Sequence, residues 1–242
     1  EELGLNNDLS FTSNNITIKN PTLSAQVKGT YQLSENWTSH TILSRSKTES
    51  DGLYTWLFDF TSDGSHTFTR FIGDQNSTTL GTTIQQNING NFDVAGFNNK
   101  LVAGIDFFRR ELINNSTGFV PFGQVTPQGP VDNPDGQVNL SESAAQEALE
   151  SSSVSDSKAL DKTLGFYFSN VTEWHARLST MASLRVDRFA DKGLVSTEED
   201  DFTQTELSPK VGIVFKPVID RVSLFANYMN GFENEGPRVQ SD

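Results

Sequence analysis

The residues best suited to chemistry in this sequence are aromatic. The stretch GLYTWLFDF, residues 52–60, sets Tyr54, Trp56, Phe58 and Phe60 at every second position. Alternate residues of a strand share a face, so these rings fall on one side of it. Such a face has two uses. It packs against lipid or another apolar surface, or it lines a concave mouth where an apolar or aromatic ligand settles. Arg70, on the return strand, carries a planar guanidinium fork suited to an anionic group on such a ligand.

No catalytic set accompanies the rings. His40, His66 and His175 are scattered, without the spacing of metal ligands. The acidic run EEDD, residues 198–201, reads as a solvated loop in preference to a calcium site. The segment DNPDG, residues 132–136, has the composition of a turn. There is no Gly-x-Ser-x-Gly elbow, no phosphate loop and no dinucleotide fingerprint. These residues point to binding, not to bond chemistry, and imply neither a cofactor nor a resident metal.

Composition narrows the class. The chain has 242 residues and a formal net charge of −13, which argues against nucleic acid as a partner. Only 35% of residues are hydrophobic, yet 18 are Phe, a balance that suits strands joined by polar loops and not a disordered chain. With no cysteine there is no disulfide framework. The longest apolar run, VGIVF at 211–215, is far short of a membrane helix. A membrane β-barrel needs no such run, because its apolar residues occupy every second position. The opening EELGLNN has neither the basic start nor the apolar centre of a signal peptide.

Period two dominates the chain. Ala25, Val27, Tyr31 and Leu33 alternate with Gln26, Lys28, Thr30 and Gln32. Leu101, Ala103 and Ile105 alternate with Gly104 and Asp106. Leu178, Ala182 and Leu184 alternate with Ser179, Ser183 and Arg185. Ile213, Leu224 and Tyr228 oppose Lys210 and Asn227. The pattern predicts an all-β, antiparallel, up-and-down meander of about eight strands, near 24–34, 37–60, 67–94, 100–112, 163–171, 177–189, 204–217 and 222–232. Short connections fall near Ser34, Phe97, Glu173 and Ile219, and longer ones between them. That asymmetry, with Trp37, Phe97, Trp174 and Phe225 beside the short turns, is that of an outer-membrane barrel with an aromatic girdle. The apolar parity is expected to face lipid, and Lys28, Asp106, Arg185, Lys210 and Asn227 the lumen. A short helix is expected in SAAQEALESS, with Ser143 and Gln146 in capping-box spacing.

Three segments carry a resemblance. NKLVAGIDFFRRE (99–111), TLGFYFSNVTEWHARLSTMASLRVDRF (163–189) and SPKVGIVFKPVIDRVSLFANYMNGF (208–232) resemble successive hairpins of TonB-dependent siderophore receptors, with the ferrichrome-receptor branch closest in pattern. The resemblance covers roughly residues 24–234. It implies a barrel of roughly 22 strands around a plug, in the bacterial outer membrane, that imports a ferric siderophore with energy from TonB. Tyr54 and Trp56 match a region where the family presents ligand-contacting aromatics. Phe119 and Phe122, in STGFVPFGQV, occupy the corresponding place in the next extracellular loop. Residues 1–242 would then be part of the barrel domain, an internal segment without the plug through which TonB acts and without the C-terminal strands. The expected partners are a ferric siderophore and outer-membrane lipid. The alternative is a complete eight-stranded barrel with a structural or adhesive role. A soluble β-sandwich enzyme is the weakest reading, for want of a catalytic set.

Overall fold

The computed structural model describes residues 10–58, 66–131, 140–193 and 201–232. Phe60, the DNPDG segment and Glu198 to Asp200 lie outside the described residues. The elements are β1 (Ile18–Lys19), β2 (Thr22–Ser34), β3 (Trp37–Phe58), β4 (Phe68–Val94), β5 (Phe97–Asn114), β6 (Val120–Thr126), β7 (Gly129–Pro130), α1 (Glu142–Leu149), β8 (Ser157–His175), β9 (Leu178–Lys192), β10 (Phe202–Val218) and β11 (Val222–Met229). The eight long strands are the eight the alternation predicts. The three short ones, β1, β6 and β7, were not expected. They lie in segments where no apolar alternation is long enough to announce a strand.

The long strands form one antiparallel up-and-down sheet in the order β3-β4-β5-β8-β9-β10-β11, with β2 on β3. Among the described residues β2 and β11 do not pair, so the sheet is open. The alternative of a closed eight-stranded barrel is therefore not what these strands form. At 27 residues, β4 far exceeds the roughly 9–11 that cross a bilayer. Ala95 and Gly96 both take positive φ, as a two-residue hairpin turn between right-twisted strands requires. The chain divides into two compact units, residues 1–22, 48–79 and 112–157, and residues 23–47, 80–111 and 158–242.

In the second unit, register fixes two faces. Phe166 pairs with Val186 and Phe168 with Leu184. Ala182 pairs with Val211 and Leu178 with Phe215. Tyr228 pairs with Val211 and Leu224 with Phe215. The expected lipid-facing residues of β9, β10 and β11 thus share one side, and they are open: Val211 is 52% exposed and Leu224 58%. Water does not tolerate so contiguous an apolar surface, whereas hydrocarbon does. The aromatics beside the short turns pair off. Trp37 stacks on Phe92 at 5.9 Å and Phe97 meets Trp174 edge-on at 5.0 Å.

The other side of this unit is polar and cross-linked. Arg185 pairs with Tyr167 and Asp187 with Gly165 across β8 and β9. Arg185 Nη1 and Nη2 donate to Asp106 at 2.8 and 3.0 Å, while Nε and Nη2 donate to Asp187 at 2.7 and 2.6 Å. The guanidinium also lies 5.5 Å from the Tyr167 ring, whose hydroxyl bonds Asn87 and accepts from Gln85 Nε2. Charge-assisted forks of this kind set geometry as well as energy. They need an empty place at Gly165, where a Cβ would sit 2.3 Å from Arg185 Nη2 and 2.7 Å from Asp106 Oδ1. His40 and His175 make ordinary hydrogen bonds, to Thr30 Oγ1 and from the Arg177 amide.

The first unit has a small water-excluded core. Ile72, Val125 and Ala145 are fully buried, and Ile16, Leu53, Leu140 and Leu149 nearly so. The helix α1 covers it. Its N-cap is Ser141, whose Oγ accepts from the Ala144 amide at 3.1 Å; the expected capping pair, Ser143 with Gln146, does not form. Ser141 has the extended backbone a cap requires, whereas Ser143 is already inside the helix, and Gln146 bonds Glu142 instead. The strand β1 pairs with β3 at Gly52, which has φ +125° and leaves no room for a Cβ beside the Thr17 carbonyl. A cavity of about 620 Å³ is lined by Asp51 and Asp74 from the sheet, Glu142 and Glu150 at the ends of α1, and Lys19. Burial, and then the neighbouring Asp51, holds the Asp74 carboxyl above its usual range.

Two outcomes follow from this architecture. Gly165→Ala should force Arg185 off at least one aspartate and cost about 1–3 kcal/mol of stability, read from the urea midpoint. Gly212→Ala, whose nearest neighbour would be Met181 at an ordinary 3.6 Å, should leave the midpoint unchanged. The second concerns pH. A carboxyl with a raised folded pKa favours the folded state at low pH, and that contribution is lost as pH rises through the folded pKa. Asp74→Asn should therefore slow amide exchange in α1 at pH 7, and the difference should vanish as pH falls through the carboxylate range.

Candidate functional site

Alternation along β3 sends Leu53 and Leu57 to the core of the first unit and Tyr54, Trp56 and Phe58 to the opposite face. On β4, Arg70 and Ile72 point to the core, and Phe71 to the rings. A third segment completes the cluster. After β5 the chain runs beside β4, the Asn115 amide donating to the Asn76 carbonyl at 2.7 Å and the Thr117 amide to the Asp74 carbonyl at 2.9 Å. Ser116 Oγ and Thr117 Oγ1 accept from the amides of Asn76 and Asp74 in return. This ladder delivers Phe119 over Gly73, where a Cβ would lie 3.0 Å from its ring.

The result is a set of edge-to-face rings. Tyr54 and Trp56 are 5.5 Å apart, and Phe119 lies 6.4 Å from each. Phe58 and Phe71 meet at 6.3 Å. Each such pair contributes about 0.5–1.5 kcal/mol beyond the area it covers. The rings nonetheless stay open: Trp56 is 52% and Phe58 68% exposed. Between Trp56, Phe58, Phe71 and Phe119 lies a hollow of about 390 Å³. A second, of about 250 Å³, shares Trp56 and Phe119 and adds Ile18, Tyr54 and Gln75.

Of the six residues expected at a site, four come together: Tyr54, Trp56, Phe58 and Phe119. Arg70 and Phe122 form a separate pair on the core side. Arg70 Nε donates to the Phe122 carbonyl at 2.9 Å, and its guanidinium lies 5.7 Å from the Phe122 ring. Gly123, with φ +89°, turns the backbone just after this contact. Phe71, Gly73 and Gln75 were not singled out. Their shared parity on the return strand was the available signal, and it would equally have placed Arg70 on the other side. Among the described residues no group of three or more His, Asp or Glu is set to hold a metal ion, and no helix is long and apolar enough to cross a membrane.

Comparison with known proteins agrees with this architecture. No curated protein matches the sequence. Among solved structures, the open form of the ferric-catecholate import receptor Fiu from E. coli K12 superposes with TM-score 0.68 at 15% identity, over 90% of this chain and 36% of that one. The ferric preacinetobactin receptor BauA from Acinetobacter baumannii gives 0.69 at 15%, over 87% of this chain and 30% of that one. The ferripyoverdine receptor of the outer membrane of Pseudomonas aeruginosa gives 0.65 at 16%, over 87% and 26%. This chain thus spans about a third of the length of these proteins, and at such identities the likeness is one of fold. The sequence itself matches the TonB dependent receptor-like, beta-barrel family over residues 2–240, and the chain belongs to that family.

Proposed function

We propose that this chain forms part of the wall of an outer-membrane receptor that captures a ferric siderophore and imports it with energy from TonB. In this reading Tyr54, Trp56, Phe58 and Phe119 are an aromatic part of the capture surface, and Phe71 belongs with them. One observation carries it. Large rings stand half-open around a hollow, on the face opposite a helix-covered core, where nothing in their own unit buries them. Rings of this kind give large, rigid contact area at low entropic cost. The similar proteins, a ferric-catecholate import receptor, a ferric preacinetobactin receptor and a ferripyoverdine receptor, favour the same ligand class. TonB would act through a plug, as elsewhere in the family, and lipid would cover the apolar face of the second unit.

Arg70 and Phe122 have a positioning role in this account. They hold β6 against β4 from behind and so fix where Phe119 enters. Gly73 has a matching role in front, since a Cβ there would crowd the Phe119 ring at 3.0 Å.

Trp56→Ala in the full-length receptor should weaken binding of its preferred ferric siderophore by about 1–3 kcal/mol, measured by equilibrium titration across a panel of ferric chelates. Trp174→Ala serves as the control, because that ring sits with Phe97 beside a short turn and donates to Thr180 Oγ1. Unchanged affinity in Trp56→Ala, with the barrel folded, would remove the cluster from the capture surface.

A further inference from the structure

We infer that helix α1 positions the ring that completes the aromatic hollow, so that docking of the helix on the core face and binding in the hollow on the opposite face are coupled; this rests on the reading of the hollow as a capture surface. The link is a strap, residues 115–118, clamped along both of its edges. On one edge it lies against β4. The amides of Asn115 and Thr117 donate to the carbonyls of Asn76 and Asp74. The amides of Asp74 and Asn76 are answered by hydroxyls, Thr117 Oγ1 at 2.8 Å and Ser116 Oγ at 3.0 Å. On the other edge the strap lies against the segment that leaves α1. The Gly118 amide donates to the Ser153 carbonyl at 2.8 Å, the Ser155 amide to the Ser116 carbonyl at 2.8 Å, and Ser152 Oγ to the Gly118 carbonyl at 2.9 Å. Thr117 faces Val154 in an antiparallel bridge. Ser116 is only 7% exposed, so its bonds are made away from water and are costly to leave unmade.

The strap is tied closely to what it joins. Next in the chain is Phe119, whose ring sits over Gly73 and lines both hollows beside Trp56. On the helix side, two residues separate Ser152 from Leu149, which is buried in the core, and the Ser152 amide donates to the Leu149 carbonyl at 2.9 Å. The helix cannot leave the core without drawing residues 152–155 with it, and the strap then loses its bonds on that edge. Such a helix has two states, docked and loose. Its 8 residues are too few for a stable helix in water, so the packing of Ala145 and Leu149 holds it. Against that packing, docking brings Glu142 and Glu150 to the cavity that Asp51 and Asp74 also line, with Lys19 alone opposing them among the described lining residues. A ligand that favours one place for Phe119 therefore favours one state of the helix. Linkage makes the effect mutual: whatever docking of α1 does for affinity, the ligand does for docking of α1.

The test uses the full-length receptor in detergent, with 4-fluorophenylalanine placed at 119. The probes are a ferric trishydroxamate and a ferric triscatecholate, the tighter binder being carried forward. Leu149→Ala, on the core face and away from the rings, should speed amide exchange in α1, move the fluorine resonance at 119 and weaken binding at least about fivefold. Ser152→Ala, which takes one bond from the strap and leaves the core intact, should move the same resonance, and it carries the test if Leu149→Ala does not fold. Thr117→Val should move it too, and Thr117→Ser, which keeps the hydroxyl, should restore it; a general loss of stability would not follow the hydroxyl in this way. In the unaltered receptor the bound chelate should slow exchange in α1 at least about fivefold. A resonance at 119 that stays in place when α1 is loosened, or exchange in α1 that ignores a bound chelate, would overturn the coupling. If Trp56→Ala still weakened binding in either case, the capture reading would stand without it. If Trp56→Ala left affinity unchanged, the capture reading would fall, whatever the fluorine signal showed. No binding of either chelate by receptor shown folded by circular dichroism would also overturn the coupling.

Discussion

The polar clamp of Arg185 with Asp106 and Asp187 is the contact on which the second unit depends. It draws together three strands at one register, since Asp106 comes from β5, Asp187 from β9 beside Arg185, and Gly165 on β8 leaves the space between them. A slip of one residue of β9 against β8 would turn Leu184 inward and Arg185 outward, while Phe166 kept its face. In a bilayer that exchange is costly, at about 2–4 kcal/mol for one Arg at mid-depth. The hydrophobic pattern and the clamp therefore exclude the same error from opposite sides of the sheet.

The first unit solves a different problem. Its strands have two faces to cover. One face is closed by α1, Leu140 and Ile16 over Ile72 and Val125. The other is left with open rings. Keeping Trp56 and Phe58 exposed in water is unfavourable by the transfer of their apolar area, so an unburied cluster marks a place that something else covers. Rigidity comes from the covered side: Ser13 Oγ and Asn15 Nδ2 both donate to the Leu140 carbonyl, tying the N-terminal segment to the lead-in of the helix.

The long strands were legible because their causes are local. Period two and a two-residue turn such as Ala95-Gly96 can be read without knowing what lies across the sheet, and the observed bounds of β2, β3, β4 and β10 lie within about two residues of the predicted ones. What escaped depends on distant partners. Arg70 meets Phe122 across 52 positions, and Ser13 meets Leu140 across 127. No window of sequence carries either contact. The ring cluster was half legible: β3 alternation gave Tyr54, Trp56 and Phe58, whereas Phe71 was overlooked beside a more conspicuous Arg70. The cap of α1 was misplaced by two residues because a spacing rule is satisfied by any serine, and only backbone conformation distinguishes Ser141 from Ser143.

If parity in the second unit divides lipid from lumen, the division can be measured residue by residue. Single cysteines placed in turn along 179–187 of the membrane-inserted receptor, labelled with a fluorophore, can be tested for quenching by lipid-borne and by water-soluble quenchers. A strict period of two is expected, with labels at 180, 182, 184 and 186 quenched from lipid and those at 179, 181, 183, 185 and 187 quenched from water. Quenching from water at every position, or protection of the even positions from both quenchers, would contradict it, because the apolar face would then be solvated or folded into a closed core.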